Sequence, residues 1–261
     1  MKQLLTIIGI SLVLIANGQN KRVLRQIIKT EDTVKLKALV EQGFDLNSNY
    51  NRTTCFLNHA ILSDKYDLTK FILNQENVRI QRVQEDGFTT LHYIVHNGWY
   101  DLARKLINEG VDPNTLGYKK SHILRTVLFN YVATNTPDST SLNFIKYLYD
   151  NGIDDQLSIT CCSERTTILI LSVAWADVST IQYFLEKDNS YIDSTDPKGW
   201  TPLHMAIKKE KIEAMNYLIS EGADLKVKNN NGQTPLDFAL KTKNNELIQE
   251  IKTAYNSKHK K

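Results

Sequence analysis

The sequence predicts an all-α solenoid in which short helix pairs stack side by side behind a leader segment. A Thr-Pro-Leu tripeptide starts at Thr201 and again 33 residues later at Thr234. After the first tripeptide, Ile212-x-x-Met-x-x-Leu-Ile219 forms an apolar stripe with helical spacing, which is typical of one buried helix face. Gly222 follows where that helix has to end, and glycine favours the left-handed backbone found there.

The composition is that of an ordinary folded protein. The chain has 261 residues, of which 41% are hydrophobic and 23% charged, and this excludes a disordered or collagen-like chain. With 32 basic and 29 acidic residues, the net charge of +3 is too small to predict a nucleic-acid partner. Three cysteines do not support a disulfide framework.

Residues 1–18 are expected to be a cleaved signal peptide. Lys2 is followed by an uncharged apolar run at residues 4–16, and Ala16 and Gly18 fit the −3 and −1 positions of a signal peptidase site. Because a membrane-spanning helix needs about 20 apolar residues, we expect no membrane insertion after cleavage; retention as an N-terminal anchor is the alternative. The leader predicts that the protein is exported. The Asn- and Lys-rich composition suggests a bacterium, which would make the compartment periplasmic or extracellular.

A period near 33 residues is predicted to organise residues 19–252. A third clear copy contains Asp-Gly-Phe-Thr-Thr-Leu-His at residues 86–92, and weaker copies align on Leu57, Ile123 and Ile168. The spacing of 45 from Ile123 to Ile168 predicts an insertion around residues 133–141, which are polar. The predicted units span approximately 21–50, 51–83, 84–115, 116–159, 160–195, 196–228 and 229–252, and a basic tail follows at 253–261.

These motifs resemble the ankyrin repeat, whose pattern contains G-x-T-P-L-H-x-A followed by L-L-x-x-G-A-D-x-N. The resemblance covers residues 21–252 and is specific in three units. It implies an ankyrin-repeat solenoid of about seven helix-pair units joined by β-turn finger loops. It also implies structural roles for His92 and His204, whose rings would hydrogen-bond backbone and tie adjacent repeats together. Asp237 replaces this histidine in the last unit, so a different network is expected there.

The resemblance further implies that a protein partner binds the finger tips and the inward, concave face of the first helices. Trp200 and Phe88 are the strongest candidates because aromatic rings commonly anchor interfaces, although packing on the neighbouring finger is the alternative. Basic residues in the C-terminal half predict a partner with an acidic patch. The candidate partner-binding residues are Glu85, Asp86, Phe88, His96, Tyr118, Lys120, Arg165, Lys198, Trp200, Lys208, Lys209 and Lys241.

Catalysis and metal binding are not predicted. His92 and His96 have the i, i+4 spacing of helical metal ligands, but no third ligand lies near them in sequence. No nucleophile, phosphate-loop or zinc-protease motif occurs, so we expect no enzyme activity and no cofactor. Cys161 and Cys162 are candidate redox residues at a finger tip, whereas Cys55 is expected to be a small buried apolar residue.

The leading prediction is a non-catalytic protein–protein interaction module in the bacterial envelope. Three alternatives stay open at this point. The first is an immunity-type, inhibitor-type or enzyme-protecting protein with one dedicated envelope partner. The second is a redox- or metal-responsive protein that uses Cys161 and Cys162, and the third is a secreted effector directed at a host cell.

Overall fold

The computed structural model describes residues 20–47, 50, 55–80, 87–118, 121–134, 139–154, 159–161, 164–166 and 168–258. The predicted signal peptide lies outside these residues. The chain divides into two compact units, residues 1–112 and 113–261. Among the described helices, none is both long enough and apolar enough to cross a membrane.

The first unit consists of helix pairs in the part that the structure describes. Its helices are α1 (Asn20–Thr30), α2 (Thr33–Glu41), α3 (Phe56–Leu62), α4 (Tyr66–Leu73), α5 (Thr90–His96) and α6 (Tyr100–Asn108). The first helices α3 and α5 pack on each other, and each also packs on the second helix of its own pair.

The second unit repeats this arrangement and adds one short hairpin. Its elements are α7 (Ile123–Thr134), α8 (Ser139–Asp150), β1 (Ile159–Cys161), β2 (Glu164–Thr166), α9 (Ile168–Trp175), α10 (Val178–Lys187), α11 (Pro202–Lys208), α12 (Ile212–Ser220), α13 (Pro235–Ala239) and α14 (Asn245–Lys258). A 3-10 turn follows α10 at Asn189–Asp193. The first helices α7, α9, α11 and α13 form one layer, and the second helices α10, α12 and α14 pack together beside it.

Local chemistry sets where these helices begin and end. Thr201 has an extended backbone, and its side chain accepts a hydrogen bond from the backbone N–H of His204, so it caps α11. Pro202 occupies the first helical position, where its missing N–H is not needed. Gly222 ends α12 at φ +107°, and the next N–H donates to the carbonyl of Leu218. This left-handed ending, which the sequence predicts, stops the helix before the chain continues to the next finger.

The core is apolar and lies between the two helix layers of each unit. Phe56, Ile94 and Leu106 are fully buried in the first unit, as are Phe144 and Leu203 in the second. A single helix pair has one apolar face and no partner for it, so burial on this scale requires neighbouring pairs to stack. The prediction of a stacked helical repeat is confirmed, with one small hairpin as its β-structure among the described residues.

The alignment of two weak units differs from the sequence prediction by one residue. Ile123 and Ile168 were expected to match Leu203, but each begins its helix, as Pro202 does. Leu124 and Leu169 therefore take the buried leucine position. The sequence is ambiguous because both residues of each pair are apolar and buried, with Ile168 3% exposed and Leu169 fully buried.

The predicted insertion and tail also differ from the structure. Part of the insertion, residues 133–134 and 139–141, lies within α7 and α8, each of which is 12 residues long against 7 to 9 in α11 and α12. The extra length thus extends a helix pair, in addition to the residues that form β1 and β2. The last helix ends at Lys258 instead of Lys252, so residues 253–258 are helical.

Candidate protein-binding surface

The finger before α11 is a tight turn organised by one carboxylate. The Asp196 side chain accepts hydrogen bonds of 2.8 Å from the backbone N–H groups of Lys198 and Trp200. The backbone N–H of Asp196 donates to the Trp200 carbonyl at 3.0 Å and closes the turn. Because these bonds fix the backbone on both sides of Trp200, the indole ring is held at the base of the finger.

The next finger reproduces this turn and binds to the first. Asn229 takes the place of Asp196, and its side chain accepts from the N–H groups of Asn231 and Gln233. Asn230 then donates its backbone N–H to the Lys198 carbonyl at 2.9 Å and its side-chain amide to the Pro197 carbonyl at 2.7 Å. Two hydrogen bonds therefore hold neighbouring fingers in a fixed relation.

His204 has the structural role that the resemblance implied. Its Nε2 lies 3.1 Å from the Gln233 carbonyl of the next repeat, and its Nδ1 lies 2.9 Å from the Thr201 hydroxyl. A carbonyl only accepts, so Nε2 carries the proton and Nδ1 accepts. Burial lowers the pKa of His204, against a smaller opposing effect of the Gln233 carbonyl. The ring is therefore neutral at pH 7 and serves as a bridge between repeats.

Asp237 makes the different network that the sequence predicts. Its carboxylate accepts from the backbone N–H of Thr234 at 3.0 Å and from the Thr234 hydroxyl at 2.8 Å. These hydrogen bonds lower the pKa of Asp237. These hydrogen bonds connect residues at the start of α13 to each other, whereas His204 bonds to the following repeat.

Trp200 packs between two neighbouring repeats of the second unit, and the ammonium group of a lysine lies over its ring. Its ring centroid lies 5.3 Å from that of Phe238 in the next first helix, so part of the ring is buried. The Lys208 ammonium lies 4.2 Å from the centroid of the same indole, in cation–π geometry. Packing on a neighbouring repeat and partial accessibility thus coexist at Trp200.

An aromatic pair that the sequence reasoning missed lies on the same layer of first helices. Phe129 of α7 is 45% exposed, and its ring meets that of Trp175 of α9 edge-on at 6.0 Å between centroids. Counted from the helix start, Phe129 is the seventh residue, as are Lys208 of α11 and Lys241 of the next pair. Trp175 is the eighth, equivalent to Lys209. Counting from each helix start thus places Phe129 and Trp175 at positions equivalent to Lys208 and Lys209. The sequence-based alignment of these two weak repeats was shifted by one residue, and this shift concealed the equivalence.

We call this set the first-helix face of the second unit. It contains the Phe129–Trp175 pair at one end and Trp200 with three lysines at the other. Its members are Phe129, Trp175, Trp200, Lys208, Lys209 and Lys241.

The remaining candidates are scattered or undescribed. Lys198 is exposed on its finger, Tyr118 is 48% exposed, and His96 is exposed at the end of α5. Phe88 packs against its own helix, 5.8 Å from His92 and 6.0 Å from Tyr93 between ring centroids. Glu85, Asp86, Lys120 and Cys162 lie outside the described residues, and the side chain of Arg165 is also not described.

Two of the cysteines are described by the structure, and neither belongs to a metal-binding cluster of described residues. Cys161 ends β1 and pairs in register with Glu164 of β2, which places it at the hairpin tip as the sequence predicts. Cys55 is a buried free thiol next to α3, again as predicted. Within the described ranges, no three His, Cys, Asp or Glu residues cluster as a metal site would require.

The comparisons with known proteins identify the family. The family model of ankyrin repeats, in three copies, matches residues 17–117 and 169–259. The chain belongs to the ankyrin-repeat family, as the motifs at Thr201 and Thr234 predict. Ankyrin repeats are protein–protein interaction modules, and the fold is typically non-catalytic.

Several curated proteins are similar to this chain. The human palmitoyltransferase ZDHHC13 is 28% identical over 223 residues, which cover 84% of this chain and 33% of that protein. Ankyrin repeat protein OPG189 of variola virus is 25% identical over 198 residues, covering 72% and 34%. The chain thus spans about a third of the length of these relatives.

Solved structures share the fold. The ankyrin repeat domain of human ASB11 has a TM-score of 0.70 at 20% identity, covering 88% of this chain and 96% of that one. A chain in the complex of the predatory endopeptidase Bd0816 from Bdellovibrio bacteriovorus with immunity protein Bd3460 has a TM-score of 0.65 at 21% identity, covering 76% and 96%.

Proposed function

We propose that this protein is an exported, inhibitor- or immunity-type binding protein that holds one dedicated partner in the bacterial envelope. The Phe129–Trp175 pair, in which Phe129 is exposed and Trp175 half-buried, carries this proposal. Binding takes place on the first-helix face of the second unit and requires no cofactor and no catalysis by the chain itself.

The chemistry of that face specifies what the partner offers. Large aromatic rings that stay accessible in a folded protein are the usual anchors of an interface. Phe129 and Trp175 supply the apolar part of the face, and Lys208 and Lys209 of the following repeat supply positive charge. A partner with an apolar protrusion flanked by carboxylates fits this distribution, because opposite charges at the rim orient the approach.

The preformed geometry favours a dedicated partner over a general scaffold. Hydrogen bonds hold the finger on both sides of Trp200, and the following finger is fixed to it by Asn230. A rigid surface loses little conformational entropy on binding, which supports tight, selective association. The likeness to a chain in an endopeptidase–immunity complex supports the inhibitor class for this protein.

The test begins with capture from native envelope extract on the protein from Gln19 onward. Two variants are run beside it: Phe129→Ser with Trp175→Ala, and Trp200→Ala with Lys208→Glu and Lys209→Glu. The matched control is Lys226→Glu with Lys252→Glu, because both lysines are exposed and lie off the first helices. The captured partner is then purified, and its affinity for each variant is measured.

We expect both surface variants to weaken binding at least tenfold and the control to stay within twofold of the parent protein. Circular dichroism checks that all variants remain helical. If the partner is an enzyme, its activity should fall on stoichiometric addition of the parent protein. Equal affinity of all variants would refute the surface, and full partner activity in the complex would refute the inhibitor role.

Export is tested separately. N-terminal sequencing of the protein from fractionated cells should find Gln19 as the first residue, in the periplasmic or secreted fraction. Retention of Met1 in the cytoplasmic fraction would contradict the envelope assignment while leaving the binding surface intact.

A further inference from the structure

A basic cleft lies in the first unit, away from the residues assigned above. Its volume is about 420 Å³, and it is lined by Lys21, Arg25, Tyr50 and His59. Lys21 and Arg25 lie one turn apart on α1, and His59 comes from α3. The cleft therefore brings together residues that are up to 38 positions apart in sequence.

The floor of the cleft is a packed aromatic cluster. The rings of Tyr50 and His59 stack at 4.0 Å between centroids and 18° between planes. Tyr50 is 7% exposed and also lies 6.2 Å from Phe56, which in turn meets Phe44 edge-on at 6.1 Å. Because these rings fix one another, His59 has a defined position before any ligand arrives.

The described part of the chain offers no carboxylate partner to the two cations of the cleft. Lys21 and Arg25 are exposed, and among the described residues neither forms an ion pair with a carboxylate. The first turn of α1 contains no acidic residue. Like charges spaced i, i+4 destabilise a helix, and positive charge near a helix N-terminus opposes its dipole. An anion between the two side chains would relieve both effects.

We propose that this basic cleft binds an oxyanion, the carboxylate or phosphate group of a small ligand. The Arg25 guanidinium offers paired N–H donors that match two oxygens of either group. Lys21 adds a second cation, and the His59 imidazole adds a ring N–H donor. The volume is within the range of small-molecule sites, so the cleft has room for an organic group beside the anion.

The surroundings of His59 agree with this assignment. Burial, and secondarily the nearby Arg25 guanidinium, lower the pKa of His59. The neutral ring keeps one N–H donor and adds no third positive charge beside Lys21 and Arg25. The proposal does not depend on the partner-binding surface, since the described residues that line the cleft belong to the first unit.

The experiment is an NMR titration of the full-length mature protein with inorganic phosphate and, separately, with citrate. Ionic strength is held constant with chloride, and the Arg25 Nε–H and His59 ring signals report occupancy. The test variant is Arg25→Gln. Arg22→Gln is the matched control, because Arg22 is exposed on the same helix, changes the net charge equally and does not line the cleft.

We expect saturable binding of at least one probe, a loss of at least tenfold in affinity for Arg25→Gln, and a change within twofold for Arg22→Gln. His59→Phe keeps the ring packed on Tyr50 while removing the N–H donor, and should weaken binding several-fold. Saturation with phosphate alone identifies a phosphate ligand, and saturation with citrate alone identifies a carboxylate ligand. Linear, non-saturable shifts with both probes, or equal losses for Arg22→Gln and Arg25→Gln, would overturn the proposal.

Discussion

Replacing Gly199 by alanine tests the contact between neighbouring fingers. Gly199 has φ +74°, and an added Cβ would lie 2.7 Å from Asn230 Oδ1 and 2.9 Å from the Asn230 backbone nitrogen. Moving the side-chain oxygen would strain the hydrogen bond from the same amide group to the Pro197 carbonyl. The backbone nitrogen is also held, because its N–H is hydrogen-bonded to the Lys198 carbonyl at 2.9 Å. The substitution should therefore push the two fingers apart.

The size of the effect follows from two contributions. A left-handed backbone costs an L-residue about 1–2 kcal/mol, and overpacking a tight contact costs about 1–3 kcal/mol more. Gly232 is the equivalent glycine of the next finger, with φ +73°, and no described atom lies within 4 Å of its Cβ position. Gly232→Ala should therefore lose only the backbone contribution, and Gly199→Ala should exceed it by about 1–3 kcal/mol.

The assay is urea denaturation of both variants and the parent protein, followed by circular dichroism. A parallel thermal melt should place Gly199→Ala about 2–12 °C below Gly232→Ala, at about 2–4 °C per kcal/mol. Equal loss of stability in the two variants would refute the reasoning, because it would mean that the second finger does not constrain the first. A loss confined to Gly232→Ala would have the same consequence.

Two further predictions concern hydrogen bonds between repeats. Because burial lowers the pKa of His204 in the folded state, the unfolded state takes up its proton first on acidification; the free energy of unfolding should fall below about pH 6.5 with a slope of up to about 1.4 kcal/mol per pH unit. Asparagine stands at the equivalent position of α3, as Asn58, so His204→Asn is a compatible substitution. It should flatten this slope in pH-dependent urea melts, and an unchanged slope would count against His204 as the source of the pH dependence. The Asn114 side chain donates to the Gly152 carbonyl at 3.0 Å and accepts from the Asp154 N–H at 2.7 Å, so Asn114→Ala should lower stability by about 1–3 kcal/mol. Asn114→Asp keeps the acceptor and should retain part of that stability in the same melts, whereas equal losses would show that the acceptor contributes nothing.

Much of the fold was predictable because its determinants are local. Thr201 and Pro202 specify a helix start within two residues, and Gly222 specifies a helix end by its own φ preference. The family follows from the repetition of these signals every 33 residues. The buried position of Cys55 and the structural role of His204 were also predictable, since each follows from a position within one repeat.

The weak units show where this reasoning stops. In the helices that begin at Ile123 and Ile168, Pro does not occupy the first position and His does not occupy the third, and two adjacent apolar residues compete for one buried position. The resulting shift of one residue concealed Phe129 and Trp175, although the sequence reasoning identified Trp200 and Lys208 in a clear unit. A Pro at the first helical position, as at Pro202, would have fixed the alignment that reveals the aromatic pair.

The sequence by itself determined the repeat period, the helix caps, the glycine turns and the family, because each depends on interactions within a few residues. Only the tertiary structure decided which distant side chains meet. It placed Phe129 beside Trp175, Lys208 over Trp200, and Lys21 and Arg25 around the stacked rings of Tyr50 and His59. The physical reason is that backbone preferences are set by local sterics and hydrogen bonds, whereas the contacts that make a binding site depend on how successive repeats pack.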